Sequence, residues 1–232
     1  FLYIYMTGMC LIQAKTQSVD RASLAIANFV IIALLQWSAK SISGAQFNPI
    51  ITGSLIVSKH IKLAKGAIIM FIQLIASIFA ISLIKVSNPS AVLAELHDTT
   101  ILGFPMVETA EIKVLILEAI GAFFLVLAYY ALLIEKDAPR ALYGAGIGAV
   151  AFVDTMYLFN KTGCSLNPTR SIAYALVGNN YRYLAMYVVG TLVGGLLGGV
   201  VGNASLSEKA DKTIERAKED KLKRRSAAIK RM

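Results

Sequence analysis

Long stretches without charged residues constrain this chain more than any other feature of its sequence. Three stretches carry no Lys, Arg, Asp or Glu, and two more carry a single carboxylate each: residues 22–39, 66–84, 183–207, 114–134 and 141–160. About 20 apolar residues are enough for a helix to cross a bilayer. The chain is 56% hydrophobic and 16% charged, which leaves too little polar surface for a soluble globule of 232 residues. We therefore expect a membrane protein.

Residues 1–14 are also uncharged, although they are short for a span. They lack the basic start and the small-residue cleavage pattern of a signal peptide. We expect them to be a first span whose start precedes Phe1. The sequence then predicts an all-α membrane protein with six transmembrane helices.

Two further apolar segments are interrupted by an Asn-Pro pair, at Asn48-Pro49 and at Asn167-Pro168. The apolar run after each proline is about ten residues, too short to span. Asn is a preferred helix N-cap, and Pro is preferred at the first helical position. Each pair therefore predicts the start of a re-entrant half-helix, which membranes tolerate only where it is buried in protein or lines water.

These two segments also indicate an internal repeat. Residues 43–50 read SGAQFNPI and residues 162–169 read TGCSLNPT, and the two Asn residues are 119 positions apart. Three predicted spans separate equivalent points, and because this number is odd, the second half is inverted relative to the first. Inverted repeats with broken helices place a site near the bilayer midplane.

The half-helices predict a pore that passes neutral molecules. Two helix N-termini meeting at the midplane bring together two positive dipole ends, which repel cations and protons. The side-chain amides of Asn48 and Asn167 can donate to the oxygen of a passing solute. We expect a passive channel on this basis.

The basic residues predict the orientation. Ten of the 23 Lys and Arg residues follow residue 203, and six more lie in residues 40–65 and 135–140. The positive-inside rule places these segments in the cytoplasm. We predict a channel domain over residues 1–203 and a basic cytoplasmic tail over 204–232, which can contact anionic lipid or a cytoplasmic partner. The membrane, plasma or intracellular, stays undecided, and no nucleic-acid partner is expected because the charge gathers in connections and the tail.

Other chemistry is not indicated. Cys10 and Cys164 lie far apart, and His60 and His97 form no ligand motif. We therefore expect no disulfide, metal or cofactor, and because no nucleophile–base pair is visible, no enzyme.

The motifs resemble those of the aquaporins, the major intrinsic protein family. Residues 43–49, SGAQFNP, match the first signature loop, and residues 162–171, TGCSLNPTRS, match the second. Glu118 and Gln73 also fit family positions, as structural support. The resemblance covers roughly residues 1–203 and implies a homotetrameric channel for water, with ammonia, urea, glycerol and hydrogen peroxide left open.

The family pattern implies an outer selectivity constriction formed by Asn28, Thr155, Cys164 and Arg170. In the family that this chain resembles, strict water channels have Phe, His, Cys and Arg at these four positions. Glycerol channels have Trp, Gly, an aromatic residue and Arg. The small polar residues at the first two positions predict a wider, more hydrophilic opening. Ser171 after the arginine resembles the water-channel type, so the resemblance favours water.

Two residues depart from the family pattern, since Ile50 and Thr169 replace the alanines that follow the two prolines. Overfilling a packed site costs about 1–3 kcal/mol unless the neighbours shrink. Either the packing is compensated and permeation is unchanged, or the middle of the pore is reshaped. A non-conducting structural subunit of a larger membrane assembly is the alternative function.

Two carboxylates lie inside predicted spans, where each needs a partner. The resemblance implies that Glu118 accepts backbone N–H groups of a re-entrant loop. Asp154 adjoins Thr155, so a shift of one residue in the alignment to the family pattern would place Asp154 in the constriction. The other interpretation is an ion pair with Arg170 or Lys161. These two carboxylates would be the ion-coupling candidates if the chain were a secondary transporter, a second alternative.

Overall fold

The computed structural model describes residues 1–16, 19–88, 111–135, 138–139 and 142–229, with side chains described over 1–14, 19–88, 111–135, 138–139 and 142–206. Within these ranges the chain is helical and contains no strand. The helices are α1 (Leu2–Thr16), α2 (Arg21–Ser43), α3 (Pro49–Val57), α4 (Leu63–Ser87), α5 (Glu111–Tyr129), α6 (Tyr143–Thr162), α7 (Pro168–Gly178) and α8 (Leu184–Ile229). A π-helical turn, Tyr130–Ile134, extends α5.

Among the residues described, four helices are long and apolar enough to cross a membrane: α2, α4, α5 with its π-helical turn, and α8 as far as Leu206. Helix α1 is apolar but shorter, as its sequence predicts. Helix α6 has 20 residues and falls outside this group, although it packs closely along α2. Its glycines, together with Asp154 and Lys161, give it a more polar composition. The predicted short helices after the two prolines are both present as α3 and α7.

The two halves of the chain, α1–α4 and α5–α8, exchange their half-helices. Helix α3 packs more extensively against α8 than against α4, and α7 packs more extensively against α4 than against α8. The closest long pairs, α2 with α6 and α5 with α8, hold this arrangement together. The reciprocal exchange is what an inverted repeat produces.

The turns that lead into the half-helices repeat the same backbone geometry. Gly44 ends α2 with φ 77°, and Gly163 ends α6 with φ 77°. The next residues, Ala45 and Cys164, have φ 55° and 56°. Left-handed backbone at a helix C-terminus favours glycine at the first position of each turn. The chain therefore reverses direction through the same type of turn in both halves.

Glycines on α8 let it approach the backbone of α5. A Cβ atom on Gly190 would lie 2.5 Å from the carbonyl oxygen of Leu115, and one on Gly198 would lie 2.5 Å from that of Phe123. A larger side chain at either position would push the helices apart. Small residues at helix interfaces in membranes permit this close contact.

Candidate functional site

The two Asn residues cap the two half-helices. The side-chain Oδ1 of Asn48 accepts a hydrogen bond from the N–H of Ile50 at 3.2 Å. That of Asn167 accepts from the N–H groups of Thr169 and Arg170, at 3.0 and 3.3 Å. Pro49 and Pro168 follow as the first helical residues. Both caps satisfy backbone donors that a helix start otherwise leaves unpaired.

The same two side chains join the half-helices to each other. The Nδ2 of Asn48 donates to the carbonyl oxygen of Leu166 at 2.7 Å, and the Nδ2 of Asn167 donates to that of Phe47 at 3.2 Å. The two bonds are reciprocal across the repeat. Because each amide nitrogen carries two hydrogens, each retains one that these bonds do not use.

A narrow cavity, which we call the central cavity, lies beside this junction, and about 40 Å³ of it is open to water. Since one water needs about 10–15 Å³ by this measure, the space suits a few water molecules. Its lining comprises Tyr3, Thr7, Asn28, Ile32, Gln36, Phe47, Asn48, Ile51, Leu125, Ile147, Ala151, Thr155, Cys164, Ser165, Leu166 and Arg170.

All four residues of the expected constriction line the central cavity, and two of them bond to each other. The Nδ2 of Asn28 donates to the Oγ1 of Thr155 at 3.1 Å, which joins α2 to α6. The guanidinium of Arg170 donates to the carbonyl oxygen of Cys164 at 3.2 Å. The two small side chains are therefore joined to each other in the wall of the cavity.

Two polar atoms of this constriction have no hydrogen-bond partner among the residues that the structure describes. They are the Oδ1 of Asn28 and the Nε of Arg170, both buried. The first is an acceptor and the second a donor, so a neutral solute with both kinds of group can satisfy them.

Glu118 holds the loop that precedes the second half-helix. Its carboxylate is fully buried and accepts hydrogen bonds from the N–H groups of Ser165 and Leu166 at 3.1 and 2.8 Å. The hydroxyl of Thr162 donates to it at 2.5 Å. Three donors offset the cost of burying this carboxylate, and the bonds set where the loop carbonyls point.

Gln73 of α4 contacts the other loop. Its Nε2 donates to the carbonyl oxygen of Gln46 at 2.5 Å and to the Oγ1 of Thr52 at 3.1 Å. Gln73 does not line the central cavity. The contact ties α4 to the first half-helix and to the turn before it.

Ile50 and Thr169, the two departures from the signature alanines, are not among the residues that line the central cavity. Ile50 is 1% exposed, and a Cβ atom on Gly195 of α8 would lie 2.6 Å from its Cβ. Thr169 donates to the Oδ1 of Asn167 at 2.9 Å and lies 3.1 Å from the hydroxyl of Ser77. Both side chains thus find room or partners among their neighbours, and their effect on permeation stays a prediction.

Asp154 is buried on a different face of α6 from Thr155. It lies beside Gly121 of α5 and does not line the central cavity. In the described residues no ion pair joins it to Arg170 or Lys161, so the predicted pairing is wrong. A shift of one residue along α6 is not needed, since it is Thr155 that faces the cavity. Nor do the described residues form a group of three metal ligands, and His97 lies outside them.

Sequence reasoning missed several residues of the lining. Gln36 and Ile32 follow Asn28 along α2 at intervals of four, and Tyr3 and Thr7 have the same spacing on α1. Residues four apart share one helix face. The signal was an uncharged polar side chain inside an otherwise apolar helix.

Comparison with known proteins decides the family. The model of the major intrinsic protein family matches residues 1–201. The chain belongs to this family. It is similar to Aquaporin-1 of Gibberella zeae, at 30% identity over 68% of this chain and 48% of that protein. It is also similar to Aquaporin NIP1-1 of Oryza sativa subsp. japonica, at 23% identity over 77% and 60% of the two chains.

A solved structure supports the fold. The aquaglyceroporin from Plasmodium falciparum matches with a TM-score of 0.75 at 14% identity, over 90% of this chain and 93% of that one. The predicted aquaporin-like fold is thus confirmed, and this member of the major intrinsic protein family is an integral membrane protein. The chain spans about half to three fifths of the length of the two relatives named above.

Proposed function

We propose that this chain is a passive transmembrane channel for water. The observation that carries the proposal is the reciprocal bonding of Asn48 and Asn167 beside a cavity with room for a few waters. Membership of the major intrinsic protein family and the aquaporin names of its relatives support it.

Water would form hydrogen bonds with the protein at two positions along the pore. At the outer constriction, the Oδ1 of Asn28 and the guanidinium of Arg170 replace part of its hydration. At the midplane, the free amide hydrogen of Asn48 donates to its oxygen. The N-terminal ends of α3 and α7 face each other there, and their partial positive charges disfavour protons and cations.

The geometry favours water over larger solutes. The central cavity suits a few water molecules, and the bond between Asn28 and Thr155 joins two of its walls, which favours water over glycerol or urea. Ammonia and hydrogen peroxide are close to water in size and are the next candidates. The aquaglyceroporin neighbour supports the fold alone and does not alter this preference.

The remaining features of the proposal concern assembly and location. We propose a homotetramer with one pore per subunit. Large apolar side chains on the outer faces of α2 and α6, such as Trp37 at 66% and Val153 at 60% exposure, suit a neighbouring subunit or lipid. The channel domain would be residues 1–203. The C-terminal tail, residues 204–232, would be cytoplasmic and would contact anionic lipid or a protein partner. Localisation experiments decide whether the protein resides in the plasma membrane or in an intracellular membrane. No catalysis, cofactor or nucleic acid is proposed.

Stopped-flow light scattering on proteoliposomes tests the proposal. An impermeant osmolyte should cause shrinkage much faster than in empty vesicles, with little volume recovery in glycerol or urea gradients. Folded protein without acceleration would contradict the channel and favour the structural-subunit alternative. Saturable flux coupled to an ion gradient would favour a transporter.

Asn167→Asp tests the exclusion mechanism. A negative charge at the meeting point of the two half-helices should weaken the barrier to protons and cations. A proton leak measured with a pH-sensitive dye inside the vesicles should rise relative to wild type. An unchanged leak in a folded variant would contradict the mechanism.

A further inference from the structure

The middle of α2 presents a buried amide to the central cavity that the outer constriction does not account for. Gln36 is 3% exposed and lines the cavity, and its Oε1 has no hydrogen-bond partner in the part of the chain that the structure describes. Buried polar atoms are nearly always paired, so an unpaired one at a cavity wall indicates a bound molecule at that place.

The internal repeat shows where this side chain lies along the pore. Gln36 precedes Thr155 by 119 positions, the same separation that relates Asn48 to Asn167. Because the repeat is inverted, equivalent positions lie on opposite sides of the midplane. Gln36 therefore holds, in the inner half of the pore, the place that Thr155 holds at the outer constriction.

Two more cavity residues are the counterparts of outer constriction residues. By the same separation, Ile147 corresponds to Asn28, and Ile51 corresponds to Arg170. Both isoleucines line the central cavity, as Gln36 does. The repeat thus brings one amide and two apolar side chains to an inner ring.

The chemistry of this ring differs from that of the outer constriction. A narrow apolar segment of a pore hinders the passage of water because it dewets easily. A terminal amide can rotate to offer either its oxygen or its nitrogen, so it can both accept from and donate to a solute. One such group is enough to keep a hydrogen bond available where the ring is otherwise apolar.

We propose that Gln36, Ile51 and Ile147 form an inner constriction in which the Gln36 amide binds the permeating water. The proposal rests on the proposed channel function. Gln36 is eight residues from Asn28 along α2, about 12 Å, so one small molecule cannot contact both amides. The inner ring is therefore a separate binding position along the pore. The small volume of the cavity favours water over a polyol as the molecule bound there.

The test replaces the amide and leaves the length of the side chain. Gln36→Met should lower the water permeability per channel by about fivefold, the effect of one net hydrogen bond in the barrier. The activation energy from the temperature dependence of shrinkage should rise as well. The flux of empty vesicles is subtracted, and the number of channels per vesicle is matched, so that this readout reports the pore alone. Leu34→Met is the matched control, because Leu34 is 58% exposed on the same helix and does not line the cavity.

A second variant separates a polar contact from mere packing. Ile147→Asn in the Gln36→Met background returns an amide to the inner ring from α6, and it should restore most of the permeability. If Gln36→Met does not fold, Gln36→Asn, which retracts the amide by one methylene, should raise the activation energy.

The outcomes separate the two proposals. A conducting wild type with unchanged permeability and activation energy in Gln36→Met would overturn the inner constriction alone. For a Gln36→Met variant that does not fold, an unchanged activation energy in Gln36→Asn would do the same. A wild type that does not conduct would overturn both the channel and the inner constriction.

Discussion

The side chain of Ile50 occupies the space that the absence of a side chain at Gly195 leaves on α8. A Cβ atom on Gly195 would lie 2.6 Å from the Cβ of Ile50, closer than packed carbon atoms approach. The two atoms are both attached directly to backbone, so neither can move aside by changing a rotamer. This match explains how a bulky residue follows Pro49 without entering the central cavity.

We expect Gly195→Ala to destabilise the protein by about 1–3 kcal/mol, because it overpacks this contact. Ile50→Ala in the same chain should recover part of that loss, since the two positions are in contact. Thermal unfolding in detergent, followed by the fluorescence of Trp37, measures both. Gly53→Ala is the control, since in the described part of the chain no atom beyond the nearby backbone of its own helix lies within 4 Å of its Cβ position. Equal effects of Gly195→Ala and Gly53→Ala would contradict the match.

We expect Thr155→Val to widen selectivity. Valine keeps the shape but removes the Oγ1 that accepts from Asn28, so that side chain is released from α6. Glycerol and urea permeability should rise several-fold relative to water, and stability should fall by about 1 kcal/mol. Thr191→Val is the control, because Thr191 is buried and its hydroxyl, within the described ranges, bonds only to carbonyl groups of its own helix. Solute ratios that stay at the wild-type value would show that the bond does not limit the opening.

We expect Glu118→Gln to lower both stability and water permeability. Ser165 and Leu166 donate to different oxygens of this carboxylate, so a glutamine keeps an acceptor for one of these N–H groups and turns its amide towards the other, leaving at least one buried donor unpaired. The loss should be about 1–3 kcal/mol. Glu111→Gln, at the exposed start of the same helix, is the control. If both variants unfold at the same temperature and conduct equally, the loop does not depend on this carboxylate.

We expect Asp154→Asn to leave permeability within about twofold of wild type, because Asp154 does not line the central cavity. Its Oδ2 is buried and has no partner among the described residues, so a neutral amide should keep or raise the unfolding temperature. Osmotic shrinkage and a thermal melt on one preparation measure both quantities. Abolished flux in a folded variant would support an ion-coupled transporter instead.

We expect acid to weaken the start of α2. Asp20 caps this helix, and hydrogen bonds from the side chain and the N–H of Ser23 hold the pKa of its carboxyl below the usual 3.8. The resulting stabilisation is fully present above that usual value. It is lost as the pH falls through the lower pKa of the folded state.

The matched variant is Asp20→Asn, which keeps a capping oxygen but does not titrate. Between pH 5 and about pH 3, the unfolding temperature of wild type should fall further than that of Asp20→Asn. Parallel slopes for the two proteins would show that Asp20 does not contribute to the acid sensitivity.

Local features of the sequence determined the membrane class and the half-helices. The absence of charge over a bilayer's thickness is a property of one stretch of chain, and an Asn-Pro cap acts within three residues. The repeat of two such caps also predicted the inverted halves. These expectations needed no knowledge of what packs against what, and the helices α3 and α7 begin where they were predicted.

Only the tertiary structure decided which side chains meet. Asn28 and Thr155 bond although 127 positions separate them, and no local pattern specifies such a pair. Whether Asp154 or Thr155 faces the cavity depends on the rotation of α6 against α2. Gln36 was passed over because an amide inside an apolar span has no defined role until the face of its helix is known. The apolar bilayer and the length of each uncharged stretch determine which segments form helices. Close packing between segments that are distant in the sequence determines which side chains line the cavity.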